Sequence, residues 1–381
     1  MPSGPATARR PALKLAASVA AVFLLVLLTT SPMLPMVWDE GNTLNRAVAI
    51  SDGHWPYTTV GEGHPPLSGL LVLAGWTVGE GWLPPLVAAR LGPIALFSLA
   101  AGVMAYRLSR NWSLAAGLGG AAALMLLPRV FAHAHFATLD GPLTACRILA
   151  WATFLPAIRD NRQTQTLCLT GRCPWASVIC WGVALGLCFA AKATGWLAPL
   201  PFLAYGLIDR RWAVWRALLI GGVVAIGVFH AVNPPLWSEP IRGLGTFFQL
   251  NLGRADQPGL NITTWFLGRM HNIEHPLPWY NTLVWVAVTV PPALLGFAVI
   301  GLVTIWRERR THLGGLLLAL NFALLLIVRA LPGVPPHDGV RLFLPSFAFL
   351  AGCSGIGVHA TLGWVARRWG PSTAVRRRAL A

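Results

Sequence analysis

The sequence predicts an all-α, polytopic membrane protein with about ten transmembrane helices. Only 11% of its 381 residues are charged and 55% are hydrophobic, whereas a soluble domain carries about 25% charged residues. Apolar stretches recur from one end of the chain to the other. The formal net charge of +16 does not indicate nucleic-acid binding, because the basic residues stand in short clusters between apolar stretches.

Eleven apolar stretches are candidate helices. The first follows a basic segment and is not followed by a small-x-small cleavage site, so we interpret it as an uncleaved anchor. A span needs roughly 20 residues, which makes 67–79 the weakest candidate. The stretches are 12–30, 67–79, 83–106, 113–128, 141–157, 174–191, 193–208, 217–232, 282–305, 312–330 and 343–363.

The distribution of charge predicts which stretches cross. If 67–79 lies at the outer surface as an interfacial helix, most of the 29 Lys and Arg fall on the cytoplasmic side and most of the 13 acidic residues fall outside. If it crosses, the later clusters are inverted, against the positive-inside rule. The sequence therefore predicts ten spans in a single multi-pass domain, 1–381, with both termini cytoplasmic. Residues 33–82 form the first extracytoplasmic loop and 233–281 a second, long one.

Two carboxylates, Asp39 and Glu40, stand at the end of the first apolar stretch. Adjacent carboxylates repel each other, so one of them is expected to hold a proton more tightly, which suits a general base. Residues 40–51 have the spacing of a short amphipathic helix, with Leu44, Ala47 and Val48 on one face. The alternative is that Asp39 only caps this helix.

Glu62 and His64 precede a proline pair that fixes an extended turn before 67–79. His64 is a candidate ligand for a phosphate or a metal, and the alternative is an incidental histidine in a surface turn.

Asp140 and Lys192 are predicted at the outer membrane boundary, where an ionisable residue is a candidate for function. Arg147 lies on the same helical face as Asp140, and pairing between them is the structural alternative. Lys192 either contacts a phosphate or extends to the interface. A metal site formed by His133, His135 and Asp140 is a further option, although a spacing of two does not place both histidines on one helix face. The metal requirement therefore stays open.

Two later outer segments also carry unusual residues. Trp279 and Tyr280 precede a span, where aromatic residues commonly mark the membrane interface, and they are also candidates for stacking on a sugar. Asp338 and Arg341 enter the last apolar stretch. Arg341 suits a bidentate contact with phosphate, and an Asp338–Arg341 pair that closes the loop is the alternative.

These motifs, taken in order, resemble the protein O-mannosyltransferase group (glycosyltransferase family 39) of the GT-C membrane glycosyltransferases, in its bacterial branch. The resemblance rests on Trp38-Asp39-Glu40-Gly41, Gly63-His64-Pro65-Pro66-Leu67 and the Asp338 to Pro345 segment. It implies a catalytic Asp39 with Glu40 as its neighbour, and a first outer loop of juxtamembrane helices. It also implies a donor site shaped by His64, Asp140, Lys192 and Arg341, with acceptor or sugar contacts from Glu62, Trp279, Tyr280 and Asp338.

The resemblance implies an inverting transfer of a hexose or pentose from a polyprenyl-phosphate carrier, at the extracytoplasmic face of the plasma membrane. The chain has no C-terminal soluble domain of the kind that larger relatives carry, so the acceptor (protein, lipid or glycan) stays open. The competing hypothesis is a transporter or flippase of a lipid-linked or amphiphilic substrate. Transporters usually contain repeats and midplane sites, whereas no repeat is evident here and the unusual charges cluster at one face.

Overall fold

The computed structural model describes residues 9–55, 59–158, 174–253, 262–309, 313–332, 334–336 and 339–369. These ranges contain fifteen α-helices, several short 3-10 turns and one antiparallel hairpin of two strands. The helices are α1 Arg9–Thr30, α2 Trp38–Ser51, α3 Leu67–Gly79, α4 Pro85–Asn111, α5 Leu114–Leu126, α6 Pro128–His135, α7 Asp140–Ala157, α8 Pro174–Ala191, α9 Pro199–Asp209, α10 Trp212–Ala231, α11 Pro240–Leu252, α12 Asn281–Thr289, α13 Pro292–Arg307, α14 Leu313–Ala330 and α15 Leu344–Trp369; the strands are β1 Thr264–Phe266 and β2 Arg269–His271.

The chain is a multi-pass membrane protein, which confirms the predicted fold class. Within the described ranges, four helical segments are long and apolar enough to cross a membrane by length and composition, and a bent pair makes a fifth. They are Arg9–Met33, Pro85–Asn111, Trp212–Ala231, Arg341–Trp369 and the pair α5 with α6. Shorter apolar helices, such as α3 and α13, accompany them. The count of ten spans stays a prediction.

Helix α3 is held tightly against α4. A Cβ on Gly92 would lie 2.0 Å from the carbonyl oxygen of Leu71, and a Cβ on Gly75 would lie 2.4 Å from that of Ala88. Small residues at such positions allow two helix backbones to approach closely, which is a common device in membrane bundles. The segment between α1 and α4 is therefore attached to the bundle through backbone contact.

Several apolar stretches are broken into two elements. Helix α6 begins at Pro128 and turns by 75° from α5. The predicted stretch 193–208 divides into a 3-10 turn, Ala193–Leu197, and α9. The expectation of one continuous helix over 282–305 was wrong, because the chain becomes extended at Val290 and a new helix starts at Pro292. Proline has no N–H to continue a helix, and it suits the first helical turn.

Helix α2 confirms the predicted amphipathic helix but begins earlier, at Trp38. Asp39 therefore lies inside the first turn, and Val37 occupies the N-cap position, so the alternative role of Asp39 as a cap was wrong. Ala47 is buried as expected, whereas Val48 is exposed. The buried face also includes Arg46, which an apolar periodicity does not reveal.

The described parts of segment 233–281 contact segments that are distant in sequence. The Thr59 hydroxyl donates to Asn233 Oδ1 at 2.5 Å, and the Asn251 side chain of α11 donates to the Gly63 carbonyl at 2.8 Å. The hairpin contacts the segment before α15, because the Thr264 hydroxyl donates to the Pro336 carbonyl at 2.6 Å. Segments distant in sequence thus meet at one end of the bundle.

Candidate active site

Four charged side chains form a continuous cluster, which we call the charged cluster: Asp39, Asp140, Lys192 and Arg341. Arg341 Nη2 lies 2.5 Å from Asp39 Oδ2, and its Nε lies 2.8 Å from Asp140 Oδ2. Lys192 Nζ lies 2.6 Å from Asp140 Oδ1. Each oxygen of Asp140 therefore contacts a different cation, and Arg341 bridges the two carboxylates.

Each member of the charged cluster lies at the end of a helix or in a break between helices. Asp39 is in the first turn of α2 and Asp140 is the first residue of α7. A carboxylate is stabilised at this end of a helix by the helix dipole. Lys192 is extended, between α8 and the 3-10 turn that follows it. Arg341 begins the 3-10 turn Arg341–Phe343, which leads into α15.

The members of the charged cluster differ in their exposure to solvent. The Asp140 side chain is 2% exposed, Lys192 12%, Arg341 22% and Asp39 32%. Burial favours a higher pKa for the Asp140 carboxyl, but Lys192 and Arg341 outweigh it and hold that pKa below its usual range. Asp140 is therefore an anion near pH 7 that contacts two cations, while Asp39 is the more exposed of the two carboxylates.

Glu40 points into the protein, away from this arrangement. Its side chain and that of Arg90 are fully buried, with Nε–Oε1 and Nη2–Oε2 distances of 2.7 Å. The backbone N–H groups of Val37 and Ala137 donate to the same carboxylate at 3.1 and 2.9 Å. Successive helical residues point about 100° apart, so Asp39 and Glu40 have different partners and their repulsion does not define the site.

Arg90 connects this buried pair to the end of α1. Its guanidinium also donates to the carbonyl oxygens of Ser31, Leu34 and Pro35, at 2.8, 3.1 and 3.0 Å. The pair thereby fixes the segment that leads into α2 and sets the position of Asp39.

The Glu62–His64 turn lies between α2 and α3. Glu62 Oε2 contacts Arg46 Nε at 2.6 Å, and the Arg46 side chain is 8% exposed. Gly63 adopts a positive φ of 69°, a conformation that glycine accepts readily. His64 is half-buried in this turn. Its predicted role in donor binding stays a prediction.

The proposed pairing of Asp140 with Arg147 was wrong. Arg147 is buried deeper along α7, and its Nη2 lies 3.4 Å from Asn321 Oδ1 of α14. Its Nε and Nη1 have no hydrogen-bond partner among the described residues. Instead, Lys192 and Arg341 each contact one carboxylate oxygen of Asp140.

The two histidines of α6 have different surroundings. His135 is buried, with Nε2 2.7 Å from the Thr30 hydroxyl and Nδ1 2.7 Å from the Phe131 carbonyl. His133 is half-buried beside the start of α7. Across the described ranges, no group of three or more His, Cys, Asp and Glu side chains is arranged to hold a metal ion, so these residues do not assemble the metal site that was considered.

The aromatic candidates are exposed at the surface of the protein. Trp279 and Tyr280 are 69% and 40% exposed, and their ring centroids are 5.8 Å apart. The Tyr280 ring also lies 6.3 Å from that of Phe266 in the hairpin. Asp338, the remaining candidate, lies outside the described residues, as does its proposed pairing with Arg341.

Arg90 and Arg46 were not among the residues that the sequence predicted for the site. Arg90 carried a signal, because it is a lone charge inside the apolar stretch 83–106, and such a residue must find a partner. Little in the sequence indicated Arg46, because an arginine on an amphipathic helix is ordinarily exposed.

No protein-family model and no curated protein matches the chain, but solved structures do. ArnT from Cupriavidus metallidurans superposes with a TM-score of 0.65 in the apo state, at 17% identity over 90% of this chain. The form bound to undecaprenyl phosphate gives 0.65 at 20% identity over 93%. The oligosaccharyltransferase AglB from Archaeoglobus fulgidus, in complex with an inhibitory peptide and a dolichol-phosphate, gives 0.57 at 15% identity over 96%.

These likenesses show that the chain has the fold of the GT-C membrane glycosyltransferases, as the sequence predicted. The chain covers 59% and 61% of the two ArnT chains and 53% of AglB, so it spans little more than half the length of the structures that it resembles. Its assignment to the protein O-mannosyltransferase type stays a prediction.

Proposed function

We propose that this GT-C-fold protein transfers a sugar from a polyprenyl-phosphate carrier to an acceptor, with inversion at the anomeric carbon. The transfer would take place at the extracytoplasmic face of the plasma membrane. The observation that carries the proposal is the bridge that Arg341 makes between Asp39 and Asp140, with Lys192 on the other oxygen of Asp140. The fold supports it, since a structure with this fold binds undecaprenyl phosphate and another binds a dolichol-phosphate.

In this proposal, Lys192 and Arg341 bind the carrier phosphate. A planar guanidinium and an ammonium, both partly exposed, suit the recognition of phosphate oxygens. Asp140 holds both cations in place through its two carboxylate oxygens. A phosphate that engages Arg341 competes with Asp39 for the guanidinium and leaves the Asp39 carboxylate free to accept a proton.

Asp39 would act as the general base. The acceptor oxygen attacks the anomeric carbon, its proton passes to Asp39, and the bond from the anomeric carbon to the phosphate oxygen breaks. The electron pair of that bond stays on the phosphate, which is a weakly basic leaving group. The step therefore needs positive charge beside the phosphate, which the two cations supply.

The other candidates have supporting roles in the proposal. Glu40 positions the first turn of α2 through Arg90, and it does not react. Glu62 orders the turn that carries His64, and His64 contributes to the donor site. Trp279 and Tyr280 would contact the acceptor or the sugar, as would Asp338.

The proposal is tested by sugar transfer in membranes from a radiolabelled polyprenyl-phosphate sugar pool. Wild type is compared with Asp39→Asn and with Asp52→Asn, an exposed carboxylate at the end of the same helix. We expect label in a new product for wild type and Asp52→Asn, and a loss of about 100-fold or more for Asp39→Asn at equal protein levels.

Two outcomes contradict the proposal. Equal transfer by wild type and Asp39→Asn removes Asp39 from the mechanism. Movement of the labelled carrier between leaflets without any transfer supports the flippase hypothesis instead.

A further inference from the structure

We propose that His133 is a further member of the phosphate site, which takes up a proton as the carrier phosphate gains its second negative charge. This inference rests on the proposed function. It adds to the site a group whose charge changes during the reaction, beside the two cations and the carboxylate that takes the acceptor proton.

The bend between α5 and α6 places His133 beside the charged cluster. The 75° turn at Pro128 directs the end of α6 towards the start of α7. A Cβ on Gly141 would lie 2.7 Å from the carbonyl oxygen of His133. His133 is thus in backbone contact with the residue that follows Asp140. Its ring meets the Phe136 ring edge-on, with centroids 6.1 Å apart.

The ring nitrogens of His133 and His135 differ in their hydrogen bonds within the protein. Its Nδ1 is buried and has no hydrogen-bond partner among the described residues, whereas both nitrogens of His135 have one. A buried nitrogen without a partner is unfavourable. The unsatisfied Nδ1 therefore points to a ligand that completes it, and a phosphate oxygen is the group that the neighbouring cations select.

Burial and the neighbouring cations keep His133 neutral. Four charged groups face it. They are Asp140 of α7, Arg341, Lys192 and, on its own helix, Arg129. Burial lowers the pKa of His133, Asp140 opposes this, and the three cations lower the pKa further. His133 lies outside the predicted span 113–128 and is neutral near pH 7. A new negative charge next to the ring reverses this balance and favours protonation.

The proposed reaction provides that charge. The sugar-linked carrier is a phosphodiester with one negative charge. When the anomeric carbon–oxygen bond breaks, the electron pair stays on the phosphate, which becomes a phosphomonoester with up to two negative charges and a second pKa of about 6. Asp39 takes the acceptor proton, so the negative charge moves from Asp39 to the phosphate. A proton from solvent on His133 then offsets the charge that has accumulated there.

The first experiment measures kcat and donor KM between pH 5.5 and 8.5 for wild type, His133→Gln and His135→Gln. We expect His133→Gln to lower kcat at the optimum by about 100-fold, with donor KM within about twofold because the ground-state diester still meets both cations. The wild-type kcat should fall as the pH rises through the pKa of His133 in the donor complex. His133→Gln should lack that fall.

His135→Gln is the matched control on the same helix. It removes the bond to Thr30, so it should lower the melting temperature but keep the wild-type pH profile. A His133→Gln profile that parallels wild type in shape overturns the inference. Should His133→Gln fold poorly, His133→Asn offers a smaller amide that donates a hydrogen bond and cannot be protonated, and its profile decides in the same way.

The second experiment needs no turnover. A short-chain polyprenyl phosphate is titrated into the detergent-solubilised protein at pH 7, in two buffers of different ionisation enthalpy, so that proton uptake is obtained from the heats. Wild type should take up more protons per bound phosphate than His133→Gln, and equal uptake contradicts the inference. A wild type that neither binds this probe nor transfers sugar contradicts the proposed function itself, whereas binding and transfer with equal proton uptake contradict only the role of His133.

Discussion

Arg341 contacts Asp39 directly, with Nη2 2.5 Å from Oδ2, so the start of the last helix is fixed to the first turn of α2. The same guanidinium reaches Asp140 through Nε at 2.8 Å. A single side chain thereby joins three segments that are far apart in sequence. A planar fork of donors can satisfy two carboxylates at once, whereas an ammonium on a flexible stem holds a single position less well.

Arg341→Lys tests whether this fork is needed. The substitution keeps the charge but removes the paired donors, so we expect donor KM to rise about tenfold, the effect of losing one charged hydrogen bond. Steady-state kinetics with a polyprenyl-phosphate sugar measure the change. Arg242→Lys is the matched control, since Arg242 is 81% exposed in its pair with Glu239, and its KM should not change. An unaltered KM for Arg341→Lys would argue against phosphate binding by Arg341.

The buried Glu40–Arg90 pair is expected to contribute stability rather than chemistry. Glu40→Gln leaves the Arg90 guanidinium buried without its counter-charge, and we expect a loss of about 3–5 kcal/mol in the free energy of unfolding. Arg90→Met should cost a similar amount, and the double variant Glu40→Gln with Arg90→Met should cost less than the two singles combined. Chemical denaturation in detergent micelles gives the three values.

Glu239→Gln is the control for the Glu40 series, because an exposed pair contributes about 0–1 kcal/mol. A Glu40→Gln protein with wild-type stability and no transferase activity would instead make Glu40 a member of the catalytic machinery.

Asp140 predicts a pH dependence of stability. Its pKa is held below the usual range in the folded protein, and the unfolded value is about 3.9. The unfolded chain therefore binds the proton more readily, and the stabilisation is present above about pH 4 and is lost as the pH falls through the folded pKa. The melting temperature of wild type should exceed that of Asp140→Asn by the largest margin above about pH 5, and the margin should shrink towards pH 3. A margin that grows on acidification would contradict this account.

The contact between α3 and α4 predicts opposite outcomes for two glycines. A Cβ on Gly92 would meet the Leu71 carbonyl, whereas one on Gly222 of α10 would meet nothing within 4 Å. Gly92→Ala should destabilise the protein by about 1–3 kcal/mol through overpacking. Gly222→Ala should be neutral or stabilise by up to about 1 kcal/mol. Thermal unfolding of the two variants compares them directly, and equal effects would show that α3 does not press on α4.

The membrane position of α3 can be tested at two exposed carboxylates, one on each side of it in sequence. Asp52 and Glu80 are replaced one at a time by cysteine in a variant without the native cysteines. Both should react with an impermeant maleimide from the extracytoplasmic side, because α3 is about 20 Å long and the hydrocarbon core is about 30 Å thick. A cysteine at Arg210 should react only after the membrane is permeabilised. Labelling of positions 52 and 80 from opposite sides would show that α3 crosses.

Hydrophobicity and local chemistry made much of the helical pattern readable from the sequence. The stretches 67–79 and 174–191 coincide with α3 and α8, since an apolar run bounded by proline, glycine or charge leaves little choice in a membrane. The helix of residues 40–51 was also predictable, and the sequence singled out Asp39, Asp140, Lys192 and Arg341 as candidates, which the structure brings into contact. Each of these side chains bears a charge that an apolar chain keeps at a cost.

Tertiary structure decided how those charges are paired. Local spacing predicted an Asp140–Arg147 pair and an interaction between the neighbouring carboxylates Asp39 and Glu40. Helix geometry, however, directs adjacent side chains about 100° apart. The packing of the helices pairs Glu40 with Arg90 and Asp39 with Arg341. A partner from another helix is fixed by long-range packing, which neither periodicity nor composition encodes. The sequence therefore determined the fold class and the charged residues of interest, and only the folded chain determined which of them lie together.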